Sequence, residues 1–152
     1  MNLKDCKKAG LASLLLLTVG YAQGLLAHSA GGAIDATGSN ASSTDLATVT
    51  CYDDGDGPTA YLFIQIQDFS APVPGLLLSM QAYKGSQMIN DTDSVSGDAN
   101  ASPGAKLYAG DGTYYISVSK TAAGVRTFSV NYHCMTAQGT HTGTDINLLQ
   151  AQ

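Results

Sequence analysis

The sequence predicts an all-β protein, a single antiparallel β-sandwich behind an export signal, and three observations carry that expectation. Gly, Ala, Ser, Thr and Asp dominate: there are 17 Gly, no Trp, and all 12 acidic residues are Asp, a composition that suits turns and short strands better than helices. Apolar residues alternate with polar ones along several short segments, which is the period of a strand with one buried face. Two cysteines, Cys51 and Cys134, sit on two of those segments with their sulfurs on the apolar face.

The first 27 residues carry the marks of a signal peptide that is removed on export. Lys4, Lys7 and Lys8 form a basic start, Leu11 to Val19 an apolar stretch, and Tyr21 to Ala27 a segment ending in a small residue. Two cleavage points compete. Leu25-Leu26-Ala27 would leave His28 first, whereas Ala27-His28-Ser29 would leave Ala30 first and better satisfies the small-x-small preference. Gly20, Gln23 and Gly24 interrupt the apolar run short of the ~20 residues that span a bilayer, so no membrane span is expected after processing. Cys6 lies too far upstream to become a lipidated first residue. The signal is of bacterial type, and the expected destination is periplasmic or extracellular.

Processing removes three of the seven basic residues and one of the twelve acidic ones, leaving four basic and eleven acidic side chains, net −7. That charge argues against nucleic acid and anionic lipid as partners. The roughly 125 residues that remain suffice for one domain with its own core and not for two.

Residues 28 to 45 are rich in Gly, Ala, Ser, Thr and Asn without a period, and they predict a flexible N-terminal arm. The β-sandwich domain is expected over residues 46 to 152. Its strands are expected at Ala47 to Tyr52, at Ala60 to Asp68 and, after Pro72-Val73-Pro74, at Gly75 to Lys84. Four more follow at Ser86 to Asn90, Lys106 to Ala109, Thr113 to Lys120 and Val125 to Met135. Gly110-Asp111-Gly112 and Thr121-Ala122-Ala123-Gly124 supply tight turns. The acidic stretch Asn90 to Gly104 shows no strand pattern and is expected as a surface loop, and Ala137 to Gln152 as a polar tail that docks through Ile146, Leu148 and Leu149.

In an oxidising compartment the even pair Cys51 and Cys134 predicts one disulfide. Val49 shares a face with Cys51, and Phe128, Val130 and Tyr132 share a face with Cys134, so the bridge should cross the core between sheets. Closing a loop of this length is worth ~4 kcal/mol in the chain-entropy account.

Tyr132-His133-Cys134, with a tyrosine two residues before the second cysteine, and Asp111-Gly112-Thr113-Tyr114, opening the preceding strand, resemble features of immunoglobulin-like sandwiches. The resemblance covers about 25 residues and lacks the core tryptophan. It implies the architecture, a single immunoglobulin-like antiparallel β-sandwich of about seven strands with one inter-sheet disulfide, and no function.

Candidate chemistry centres on His28, His133, Met135 and His141, the three histidines of the chain and one thioether. His133 and Met135 share the strand face opposite Cys134 with side chains about 7 Å apart, within reach of one ion. Imidazole with thioether suits copper, and an N-terminal histidine offers Cu(II) its amine and its ring together. The competing reading makes His133 an ordinary solvent-facing residue, His141 a loop residue and Met135 part of the core.

Asp53, Asp54 and Asp56 in Cys51-Tyr52-Asp53-Asp54-Gly55-Asp56-Gly57 are weak calcium candidates. A calcium-binding helix-loop-helix is excluded, because placing Gly57 at the sixth position puts Tyr52 at the first and Phe63 at the twelfth. A looser site, joined by Asp91, Asp93 or Asp98, competes with a solvated Asp-Gly turn.

No catalytic residue is expected. The chain has no Gly-x-Ser-x-Gly elbow, no Cys-x-x-Cys and no Glu for a paired-carboxylate hydrolase. The three Asn-x-Ser/Thr sites, at Asn40, Asn90 and Asn100, then mark polar loops in a bacterial protein.

Two non-enzymatic functions follow. One is an exported domain that holds a copper ion through a mature His28 and further His and Met ligands, with a metal-handling partner. The other is a structural or adhesive subunit that self-associates by strand addition, with calcium at the Asp-rich loop.

Overall fold

The computed structural model describes residues 28–152, so the signal peptide expected over residues 1–27 and its expected cleavage point lie outside the described residues. Nine strands follow: β1 (Ser29–Ile34), β2 (Thr44–Tyr52), β3 (Tyr61–Asp68), β4 (Leu78–Lys84), β5 (Gln87–Asp93), β6 (Ala105–Leu107), β7 (Gly112–Lys120), β8 (Arg126–Met135) and β9 (Gly143–Gln150). They form two antiparallel sheets, ordered β1-β8-β3-β6 and β5-β4-β7-β2-β9. Among the described residues there is no helix, and hence none long and apolar enough to cross a membrane.

The sheets face each other over a core made by the alternation visible in the sequence. In β3, Leu62, Ile64 and Ile66 are fully buried while Phe63, Gln65 and Gln67 between them are not. β4 contributes Leu78, Met80 and Ala82, β7 contributes Tyr114, Ile116 and Val118, and β8 contributes Phe128, Val130, Tyr132 and Cys134. Each fully buried large apolar side chain is worth about 1.5–3 kcal/mol. The Cys51–Cys134 disulfide joins β2 of one sheet to β8 of the other, with the Cα atoms 5.5 Å apart. The Tyr114 hydroxyl donates to the Gly110 carbonyl four residues upstream at 2.6 Å. Burial raises the pKa of that phenol to about 12.

The structure departs from the sequence reading in three places, each for an identifiable physical reason. Residues 28–45, expected as a flexible arm, hold β1 and the start of β2. β1 runs antiparallel to β8 from Ser29↔Asn131 to Ile34↔Arg126. Its Ala and Gly residues give no period because β1 is held by backbone pairing, and Gly32 lies so close to the Phe128 ring that a Cβ there would stand 2.9 Å from it. At its far end Ile34 is fully buried, and Asp35 turns the chain at φ 58°. The Asp35 carboxylate accepts from Lys120 Nζ at 2.8 Å in a buried ion pair and from the Ser39, Asn40 and Gly124 amides. Above all the Lys120 contact holds this carboxyl well below the usual carboxylate range.

The polar tail contains β9, which pairs with β2 from Leu46↔Gln150 to Tyr52↔Gly143. Its burial pattern does not alternate beyond Thr144, because β9 is an edge strand, and so its sequence carried no clear strand signal.

The stretch from Asn90 to Gly104 is not all surface loop. Asn90 to Asp93 complete β5, with Asp91 and Asp93 turned inward and buried. Asp91 accepts from the Ser102 hydroxyl and from the Gly104 amide at 3.2 Å, and Asp93 accepts from the Asp68 amide at 2.8 Å. These aspartates stand at apolar positions of the strand because each satisfies backbone or hydroxyl donors of neighbouring segments, which composition alone does not reveal.

Candidate metal centre

Strand β8 places the first of the candidate histidines. Tyr132 and Cys134 point into the core, so His133 between them faces outward, opposite Phe63 of β3. The two rings stack at 6.0 Å with 14° between their planes.

His28 immediately precedes β1, and its carbonyl accepts the Tyr132 amide at 3.0 Å. That single backbone bond carries the β1–β8 pairing one residue further. It sets the His28 ring 6.0 Å from Tyr132 and 6.2 Å from His133.

His141 arrives from the other side. Residues 136–140 make a tight turn in which the Thr136 amide donates to the Thr140 carbonyl at 2.9 Å and the Gly139 amide to the Thr136 carbonyl at 3.1 Å. Thr136 is buried, and its hydroxyl accepts the Thr140 amide at 3.2 Å. The segment is therefore a hydrogen-bonded connection that carries the chain from β8 of one sheet to β9 of the other. His141 forms a bridge with Met135, which puts both side chains on one face, and the His141 and His133 rings meet at 4.5 Å.

The nitrogens that the three imidazoles can offer lie within 4.8 Å of one another, and all three residues are half-buried. Nδ1 of His28 and Nδ1 of His133 are buried with no hydrogen-bond partner. A buried polar atom left without a partner costs about 1–3 kcal/mol, and three converging imidazoles are a group that could hold a metal ion. Burial first, and then the neighbouring His141 and His28, push the His133 pKa down to about 4. Burial and His28 lower that of His141 as well. Both rings are thus neutral at pH 7, the form in which imidazole binds a metal.

No protein-family model, curated protein or solved structure matches the chain.

The aspartates behave differently. Asp53 Oδ1 accepts the Gly55 and Gly57 amides at 2.8 and 3.0 Å, and Asp54 Oδ1 accepts from the Asp56 amide and the Thr142 hydroxyl. The Asp53 oxygen thus closes its own Asp-Gly turn. Among the described residues, Asp53, Asp54 and Asp56 do not join a convergent group of three ligand side chains. Asp91 and Asp93 are committed to the interior contacts described above, and Asp98 accepts from the Asn100 amide at 2.9 Å.

Sequence reasoning missed Phe63 and Tyr132, the two rings that flank the histidines. Phe63 gave a signal, since it is a large apolar residue at an outward position of an alternating strand.

Proposed function

We propose that this protein is an exported, non-enzymatic domain that binds one copper ion through His28, His133 and His141, with Met135 beside them as a soft fourth ligand. The observation that carries the proposal is the convergence of three imidazoles from the residue before β1, from β8 and from the β8–β9 connection, two of them with a buried, unpartnered Nδ1. Copper is favoured over zinc on donor chemistry. Divalent copper binds nitrogen ligands more tightly than its neighbours in the first transition row, and thioether next to imidazole suits monovalent copper. The cysteines that a closed structural zinc site would use are consumed in the disulfide. If export leaves His28 first, its α-amine adds a further nitrogen to the same residue. Periplasmic or extracellular placement is supported by the disulfide and by the sequence of residues 1–27, and the role proposed for the site is that of a carrier or buffer with a metal-handling partner.

Copper titration followed by electron paramagnetic resonance tests the proposal. One Cu(II) per chain with nitrogen hyperfine coupling is expected, and His133→Ala should weaken binding at least ~10-fold. Unchanged affinity in that variant would remove His133 from the ligand set.

A structural or adhesive role is the second reading, favoured by one observation. β1 and β9 are sheet edges, and β9 exposes Leu148 at 64% and Leu149 at 49%, the profile of an edge strand open to strand addition. A shift to high mass with rising concentration, abolished by Leu148→Lys, would favour this reading over copper binding.

A further inference from the structure

We infer that metal binding clamps the first strand: an ion shared by His28, His133 and His141 fastens the start of β1 to β8 and thereby decides whether the β8 edge is covered. The inference rests on the copper reading above and goes beyond it to how the site governs the fold around it.

The two ends of β1 are held in different ways. The far end is anchored by Ile34 in the core and by the buried Asp35–Lys120 pair. The near end, Ser29-Ala30-Gly31-Gly32, buries no large side chain. It is held by backbone pairing with β8 and by the His28–Tyr132 bond. Behind it the small residues leave a cleft of about 130 Å³ between the sheets, with Gly31 and Gly32 on one wall, Phe128 and Val130 behind, and Ile116 and Leu148 opposite. Few apolar contacts therefore resist opening of this segment, and local opening is governed by such contacts. The three histidines sit at its free end. His133 lies on β8, which the disulfide ties to the facing sheet, and His141 follows the hydrogen-bonded 136–140 turn around buried Thr136, while His28 leads into the weakly held strand. A ligand that binds the closed arrangement and not the open one suppresses opening by the factor 1 + [L]/Kd. Loss of the ion would free residues 28–32, exposing the β8 backbone and the cleft together.

Hydrogen exchange by mass spectrometry on the full chain, recovered after export, tests this with copper sulfate and with chelator. With free Cu(II) at 100 times its Kd, the Tyr132 amide and the Ala30 and Gly32 amides, which face β8, should exchange about 10- to 100-fold more slowly, while β3 and β4 change little. In His28→Ala the copper-dependent slowing at Ala30 and Gly32 should vanish. Native mass spectrometry of the same samples separates the two ways to fail. Copper taken up with unchanged exchange at Ala30, Gly32 and Tyr132, or with equal slowing throughout the domain, overturns the clamp and leaves the copper site standing. No copper uptake, or a chain that begins at Ala30, overturns both.

Discussion

The rings of His133 and His141 meet edge to face, with centroids 4.5 Å apart and planes at 63°. Burial, and then the neighbouring His141 and His28, depress the His133 pKa, while burial and His28 depress that of His141. The pH dependence of the metal-free protein follows from this. His133 titrates at about 4 in the folded state against 6.5 for the free side chain. Between those values the unfolded chain binds more protons than the folded one, so stability rises with pH across this window and is lost as pH falls through it. The difference corresponds to at most about 3 kcal/mol, and partial exposure of the ring reduces it to about 2. Urea unfolding in chelator from pH 7.5 to 3.5 measures it, and His133→Gln should flatten the curve between pH 6.5 and 4. A curve of the same slope in that variant would show that His133 stays exposed and titrates normally.

The disulfide yields a second expectation. Cys51 and Cys134 are 83 residues apart and lie on facing sheets, so breaking the bridge releases a long loop of the unfolded chain. The Cys51→Ala, Cys134→Ala double variant should lose about 4 kcal/mol, seen as a lower urea midpoint. A loss under 1 kcal/mol would mean that chain entropy is not what the bridge contributes.

How far these features were legible in the sequence depended on what holds each segment. Strands with one face in the core announced themselves: Leu62, Ile64 and Ile66 alternate, as do Phe128, Val130, Tyr132 and Cys134, and the disulfide followed from which face the cysteines share. The edge strands β1 and β9 did not, because backbone pairing holds them and leaves side chains such as Ala30, Gly31 and Leu148 free of any period. Buried Asp35, Asp91 and Asp93 were hidden for a related reason, since a carboxylate that is satisfied by amides or a lysine has the same sequence signature as a solvated one. The histidines could be nominated by type and by the strand parity of His133. Their convergence depends on the β1–β8 register and on the 136–140 turn, which are long-range facts.

Gly97 supports the last expectation. It adopts φ +66°, and a Cβ built there would lie 2.2 Å from the Ser70 carbonyl oxygen and 2.8 Å from the Pro72 nitrogen. Both obstacles are backbone, so neither can swing aside as a flexible side chain would. The contact sits where the loop after β5 crosses the segment after β3, beside Asp93, whose carboxylate takes the Asp68 and Val95 amides at 2.8 and 3.3 Å. Gly97→Ala must therefore adopt a left-handed conformation and also push two chain segments apart, an expected loss of about 2–4 kcal/mol. The strain lies across the sandwich from the histidines, at the opposite end of β3 from Tyr61, so copper affinity should stay within twofold of the parent in the folded variant. Unfolding midpoints and copper titration of the same preparation check both halves. A Gly97→Ala protein as stable as the parent would show that the two loops are free to separate.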